Sequence, residues 1–503
     1  MRLSRRALPL VLGASALIPT AVLAGSDPRV PSADVTRHGA RGDGVQDDSA
    51  AIQAAIDSGA PLVVFPAGRY LCRRSLIPRS HQTWRGEGAA VSVLVQPQDT
   101  PPPPFNLIER LGVLEDVTVS DLGFVGNGHR HMGDSGDGQS GFALYIRGLQ
   151  RRLRLTGCRF AGFGGGRSGG GGVVLGPLPD SDPQGLEDIT VTDCVFEDNG
   201  NVPGIYLAGG NRPGAARRNI RVQGNRFAGV RPGTRPQNCI YILSDGAATR
   251  IANVLVADNL FDIDHSVDAC IELNWVDGFT ISGNSMTFAG AVRGSSGILL
   301  RDGCRSGAVT GNSLRDASSE QVVAIDLQNF AHPGTIEDVT ISGNVIHGFT
   351  WRGIAVDRGA RGVVVVGNRV TGGERRLDEG VRIVDAHDVL VSGNAISAAV
   401  AAVMLASGTD PAAGVQTITI SGNQFTNCGG KGPLIAVVAG CNIRGLVVDG
   451  NRVAASLPGT TALAGGGFTA SEGNLMGHNL IMPLTALVPG EEGGWTRLGR
   501  DPS

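Results

Sequence analysis

The sequence predicts a right-handed parallel β-helix, all-β apart from an N-terminal capping helix. Three observations lead there. An alternating apolar run, then Gly-Asn or Asp-Asn, then another apolar pair recurs down most of the chain, as IRVQGNRF with Asn225, VLVADNLF with Asn259 and FTISGNSM with Asn284. The pattern returns at Asn312, Asn344, Asn368, Asn394, Asn423 and Asn451 and, degraded, at Asn479, with spacings of 34, 25, 28, 32, 24, 26, 29, 28 and 28 residues. The 76 glycines and scarce helix-favouring runs fit a chain that turns sharply several times per coil.

Taken in order, residues 1–24 read as an export signal: Arg5 and Arg6 precede an apolar stretch, and Val22-Leu23-Ala24 offers a cleavage site. Ser4-Arg5-Arg6 is compatible with twin-arginine export and the whole with an ordinary secretory signal, so the expected location is periplasmic or secreted. Residues 25–100 hold the cap and first coils, 101–485 the remaining coils, and 486–503 a tail. Asp47, Asp48 or Ser49 can cap a helix whose Ile52 and Ile56 share one face and lid the open end of the solenoid. Pro101–Pro104 reads as a stiff connector, and Gly164–Gly172 as a flexible excursion rather than a phosphate cradle.

Each repeat holds two or three short strands, too few apolar residues for a core of its own, so burial becomes continuous only when coils stack. At the turn, Asn is expected to accept the left-handed conformation and to bond through its amide to the next coil's Asn. Cys158 and Cys194 fill that slot in LRLTGCRF and ITVTDCVF, and Cys239 with Cys270 occupy equivalent slots elsewhere; stacked buried thiols are the expectation. The LxxLxL spacing of a leucine-rich horseshoe is missing.

A net charge of -3 with one lysine, Lys431, gives no basic excess for nucleic acid. No later apolar stretch is long enough to cross a bilayer. The eight cysteines form no CxxC pair, and nothing fixes an oligomeric state or a resident metal.

A second recurring strand lies upstream of each ladder strand: ALYIRG, GVVLG, GIYLAG, CIYILSDG, CIELNWVDG, GILLRDG, AIDLQNF, GIAVDRG, GVRIVDA and AVMLASG. The residue after the first core aliphatic should point outward, which gives a column Tyr145, Val174, Tyr206, Tyr241, Glu272, Leu299, Asp326, Ala355, Arg382, Met404. Two residues on runs a parallel column with Arg147, Asn274, Arg301, Gln328 and Asp357. Tyr145, Tyr206 and Tyr241 can serve as sugar platforms, with Asn274, Gln328, Asp357 and Arg382 as further substrate contacts. Glu272 and Asp326, two coils apart, should have Cα atoms ~9–10 Å apart at the ~4.8 Å rung spacing. Side-chain lean then brings the carboxyls near the ~6.5–9.5 Å gap of inverting glycoside hydrolysis. Arg301, between them, can hold a substrate carboxylate or hydroxyls.

Two further groups stand out. DIDHSVDACIE sets Asp262, Asp264, His265 and Asp268 before the Glu272 strand; Asp268 shares the parity of Glu272, and His265 can act as acid or base. His129, His131, Asp134 and Asp137 form a loop ahead of Tyr145, whose bland reading is a flexible lip and whose sharper one is a metal site.

The segment DVTRHGARGDGVQDDSAAIQAAIDSG, then PLVVFPAGRYLC, resembles the opening of the pectate-lyase superfamily domain, shared by rhamnogalacturonases, epimerase-like proteins and phage tailspikes. The specific match covers about residues 34–90, and the asparagine-ladder coils extend a looser resemblance to about residue 480. It implies a β-helix acting on polysaccharide without fixing the reaction, and leaves Asp43, Asp47 and Asp48 as residues of a helix start. The NTD, paired-aspartate, GHG and RIK segments of polygalacturonase-type hydrolases are absent, as is the DPHD signature of alginate epimerases. Three functions stay open: a glycoside hydrolase using Glu272 and Asp326; a lyase or epimerase on uronate glycans, with Tyr241, His265 and Arg301 and a role for calcium; and a non-catalytic glycan-binding solenoid.

Overall fold

A computed structural model describes residues 30–481 and 496–497, apart from 99–104, 131–139, 166–168, 179–183, 231–236, 318–319, 330–334, 409–413 and 462. The export segment, Pro101–Pro104, His131, Asp134, Asp137 and most of the tail lie outside the described residues.

The chain winds into a right-handed parallel β-helix. Each full coil contributes one strand to each of three walls, as in Ala269–Asn274 (wall 1), Val276–Ser282 (wall 2) and Ser285–Ala291 (wall 3). Wall 3 is a 16-stranded sheet; walls 1 and 2 join in a 27-stranded one, because several strands run through their shared corner. The pairing is parallel and in register from coil to coil.

Alternation sends every second side chain into the bore. Ile271 and Leu273 point in from wall 1, Phe279 and Ile281 from wall 2, Met286 and Phe288 from wall 3. Because neighbouring rungs are in register, like stacks on like: Phe124, Phe160, Phe196, Phe227 and Phe261 form a ladder with ring centroids 4.9–5.0 Å apart. That lies within the roughly 4.5–7 Å range over which aromatic pairs contribute beyond area burial.

The asparagine ladder fills the corner between walls 2 and 3. Asn284 donates from its backbone N and its Nδ2 to the Oδ1 of Asn312, at 3.0 and 2.9 Å, and Nδ2 also donates to the Val256 carbonyl of the previous coil. The same three bonds recur at Asn312, Asn344, Asn368, Asn394, Asn423 and Asn451, so each buried amide is satisfied. The left-handed residue is not the asparagine. It is the one before it, Gly224, Asp258, Gly283 or Gly311, with φ between 57° and 70°. The division follows from geometry: the inward residue must aim its amide along the ladder, while the turn itself needs a residue with little Cβ penalty.

Cys158 and Cys194 occupy the ladder slot as buried thiols, and Cys194 N donates to Asn225 Oδ1. Cys239 and Cys270 are likewise buried and free.

Helix α1 (Ser49–Asp57) packs Ile52, Ala55 and Ile56 against the interior of the first coils. Asp48 sits at its N-cap position but makes no cap bond; its buried carboxylate accepts from Arg41 N (2.8 Å) and Gly42 N (3.0 Å), tying the incoming loop to the helix start. Asp47 accepts from Ser49 N instead.

Candidate active site

The outward column on wall 1 is in register: Tyr206 pairs with Tyr241, Tyr241 with Glu272, Glu272 with Leu299, Leu299 with Asp326 and Asp326 with Ala355. The neighbours of the two acids in sequence, Ile271, Leu273, Ile325 and Leu327, belong to the interior core, so both acids leave the wall on its outer side. Glu272 and Asp326 are therefore on one wall, two rungs apart.

The expectation of an open, solvent-washed face fails at the acids themselves. Each is only 1% exposed. The cause lies in their neighbours: at rung spacing, long polar side chains from adjacent coils close over the carboxyls. Asn238 Nδ2 donates to Glu272 Oε2 at 2.8 Å from the coil before, and Arg301 Nη1 lies 3.2 Å from Oε1 from the coil after. Gln328 Nε2 donates to Asp326 Oδ2, and Ser296 Oγ lies 3.5 Å from the same oxygen. The coil between the acids thus touches both, through Arg301 and Ser296.

Burial dominates the proton affinities. Desolvation raises the Glu272 carboxyl to about 7, against the opposing pull of Arg301 and Asn238. Desolvation and then the charge of Asp357 raise Asp326 to about 7 as well. Asp357, in the adjoining column, is itself shifted upward by burial, with Arg382 and Arg352 opposing. Behind it lies a charged cluster: Arg352 Nε bonds Glu379 at 2.9 Å while its guanidinium lies 3.8 Å from the Trp351 ring centre, and Arg382 lies 3.0 Å from Glu379 and 3.5 Å from Asp357. Arg382 is thus spoken for within the protein.

Other expected members sit elsewhere than the sequence placed them. Cys270 and Ile271 both point into the core, so alternation breaks at the strand entry and Asp268 is displaced to an exposed rim position. Its carboxyl is raised by desolvation, with Arg301 opposing. His265 closes a wall 3 strand and lies 3.2 Å from its neighbour Asp264, with no contact to Glu272. Tyr145 is buried, stacked at 5.5 Å on Phe142 in a small apolar cluster with Val174 and Val202, beneath Arg147. Tyr206 and Tyr241 are half-buried and meet edge to face at 5.3 Å. Burial raises both phenols further above their ordinary range. Asn274, Arg301, Gln328 and Asp357 are part-exposed and form the side of the site nearest solvent.

Sequence reasoning missed Asn238 and Ser296. Both occupy the strand-entry slot that pairs with Ala269, and the alignment of NCIY, ACIE and SGIL carries that signal. Among the described residues, no group of three His, Cys, Asp or Glu side chains is arranged to hold a metal ion, and no helix is long and apolar enough to cross a membrane.

Residues 269–453 match the family described as right handed beta helix region, and residues 32–100 match rhamnogalacturonase A/epimerase, pectate lyase-like. The chain is a right-handed β-helix protein whose opening segment is pectate lyase-like. Solved structures similar to this β-helix protein include the A-module of the mannuronan C-5 epimerase AlgE6 of Azotobacter vinelandii, at 17% identity and TM-score 0.43, covering 90% of this chain and 100% of that one. The surface adhesin PfbA of Streptococcus pneumoniae is 16% identical over 73% of this chain and 92% of its own, with TM-score 0.49. The catalytic unit of a GH87 alpha-1,3-glucanase from Streptomyces thermodiastaticus strain HF3-3 is 14% identical over 90% and 70%, with TM-score 0.37. None of the three assigns a reaction to this β-helix protein. No protein of curated function matches the chain.

Proposed function

We propose that this β-helix protein is an exported polysaccharide-active enzyme, a glycoside hydrolase whose acid–base pair is Asp326 and Glu272. One observation carries the reading: two carboxyls on one wall, two rungs apart, both shifted to about 7 by burial. The roles follow from their partners. Glu272 has Arg301 and Asn238 to favour its ionised form, which suits the base; Asp326 has Asp357 nearby and no guanidinium bonded to it, which suits the acid. Asp326 would give its proton to the glycosidic oxygen while Glu272 takes one from the attacking water, with inversion at the anomeric carbon. Two rungs put the backbones roughly 9–10 Å apart, room for that water. Substrate would meet the part-exposed side first, with Tyr206 and Tyr241 as ring platforms.

The upward shift of Tyr241 makes it a poor base for β-elimination, which weighs against a lyase. A non-catalytic glycan-binding solenoid is the second reading, favoured by the enclosure of both carboxyls. Purified protein tested against neutral and acidic polysaccharides, with reducing ends and unsaturated products scored separately, decides among them. New reducing ends without unsaturation support the hydrolase; unsaturated products or no turnover on any polymer would sink it.

A further inference from the structure

The acceptors and donors on wall 1 are out of balance, and the imbalance bears on what can bind there. Asn238 Oδ1 and Asn274 Oδ1 are enclosed amide oxygens, and each lacks a hydrogen-bond donor. A buried acceptor left without a donor costs roughly 1–3 kcal/mol, so these two amide oxygens favour a ligand that brings donors. The guanidiniums that could have met a ligand's negative charge are already engaged. Arg301 faces Glu272, Arg352 bonds Glu379, and Arg382 faces Glu379 and Asp357. At the tyrosine end, Arg147 donates to the Pro177 carbonyl at 2.6 Å and to the Tyr145 hydroxyl. Arg110 is five rungs before Glu272, roughly 24 Å away at the usual strand spacing.

We infer that the ligand of this wall is a neutral glycan, one whose hydroxyls supply the missing donors, and not a polyuronate or sulfated polymer. The inference rests on the proposed glycan-active reading and narrows its substrate class. A uronate carboxylate is acceptor-only. Placed here it would bring a charge onto a water-poor surface with no uncommitted arginine to receive it, an unpaired charge of the kind that excludes wrong partners. A neutral sugar brings several hydroxyls, each able to donate to Asn238 or Asn274 while its ring lies on Tyr206 or Tyr241.

The test uses the intact protein in affinity electrophoresis against soluble glucans, mannans and galactans and against polyuronates, at low and moderate salt, with reducing ends assayed in parallel. The expected result is retardation by at least one neutral glycan, insensitive to salt, weakened about tenfold or more by Asn238→Leu, and polyuronate binding absent at low salt. Tight polyuronate binding that weakens with salt would overturn the inference. The two readings fail separately. Glu272-dependent cleavage of a polyuronate defeats neutrality and leaves the carboxylate pair; binding of a neutral glycan without turnover defeats the hydrolase and leaves neutrality. Binding to neither class defeats both.

Discussion

Walls 1 and 2 both carry columns of charge along the helix axis, and they use it in opposite ways. On wall 2 the in-register column reads Glu115, Arg151, Glu187, Arg218, Ala252, Asp277, Arg305, Glu337, Arg361. Sign alternates rung by rung around the neutral Ala252, and the ion pairs Arg151–Glu187, Arg305–Asp277 and Arg361–Glu337 measure 2.9, 2.7 and 2.8 Å. These groups keep some solvent, and each has an opposite charge next door. On wall 1, Glu272 and Asp326 are buried, a leucine separates them, and desolvation outweighs their partners. A matched, largely part-exposed column specifies stacking, because shifting one rung would set like on like. A mismatched buried pair contributes nothing of that kind and holds protons near neutrality, which is what acid–base chemistry needs.

The contrast is sharpest in activity. Asp326→Asn and Glu272→Gln are each expected to lower hydrolysis of the substrate polymer by about 10²–10⁴-fold while leaving the fold intact, whereas Glu337→Gln on wall 2 leaves turnover within about twofold. Reducing-end assays on the three variants, with circular dichroism as the folding control, check this. Retained turnover in Asp326→Asn would break the distinction.

Next in size is the interior ladder, which neither outer wall can replace. Asn312→Ala removes the acceptor of Asn284 N and Nδ2 and the donor to the Ile281 carbonyl. A loss of about 2–4 kcal/mol in urea unfolding is expected, against at most ~1 kcal/mol for Arg305→Ala. Equal losses would mean that the outer ion pairs carry as much as the buried amides.

The pH dependence separates the walls in sign. Glu272 and Asp326 bind protons more tightly folded than unfolded, so as pH rises from about 4 to 7 the unfolded chain ionises first and stability falls. Above about 7 both states are ionised and the loss levels off, on the order of 3–4 kcal/mol per group at most. Asp277, by contrast, is lowered by its bond to Arg305, so its contribution is present above its unfolded value and is lost as pH falls through the folded one. Melting temperatures between pH 4 and 8 should flatten in the Glu272→Gln, Asp326→Asn double variant and not in Asp277→Asn. The smallest effect is Glu337→Arg, expected to cost about 1 kcal/mol by placing three arginines in a row on wall 2, with part of that removed by screening in high salt.

How much of this was legible beforehand differs between the two kinds of feature. The ladder at Asn225 to Asn451 and the column from Tyr145 to Met404 follow from spacing alone, because a solenoid repeats its register and one correct coil fixes the rest. The left-handed turn residue was misassigned by one position, since Gly-Asn pairs offer two candidates and only the ladder's direction separates them. What spacing cannot give is enclosure. Whether Glu272 meets water depends on how far Asn238 and Arg301 reach across a rung, and on a break in alternation at Cys270–Ile271 that moves Asp268 off the wall. The alternating column of wall 2 was readable from aligned strands, but its charges look like ordinary solvated surface until the partners are seen rung above rung.

The most direct test is an infrared difference titration of the protein from pH 5 to 9, with Glu272→Gln and Asp326→Asn as subtractions. The account expects two buried protonated carboxyls to lose their signal around pH 7, one missing from each variant. If both groups are already ionised at pH 5, wall 1 is compensated like wall 2 and the assignment of an acid–base pair is contradicted.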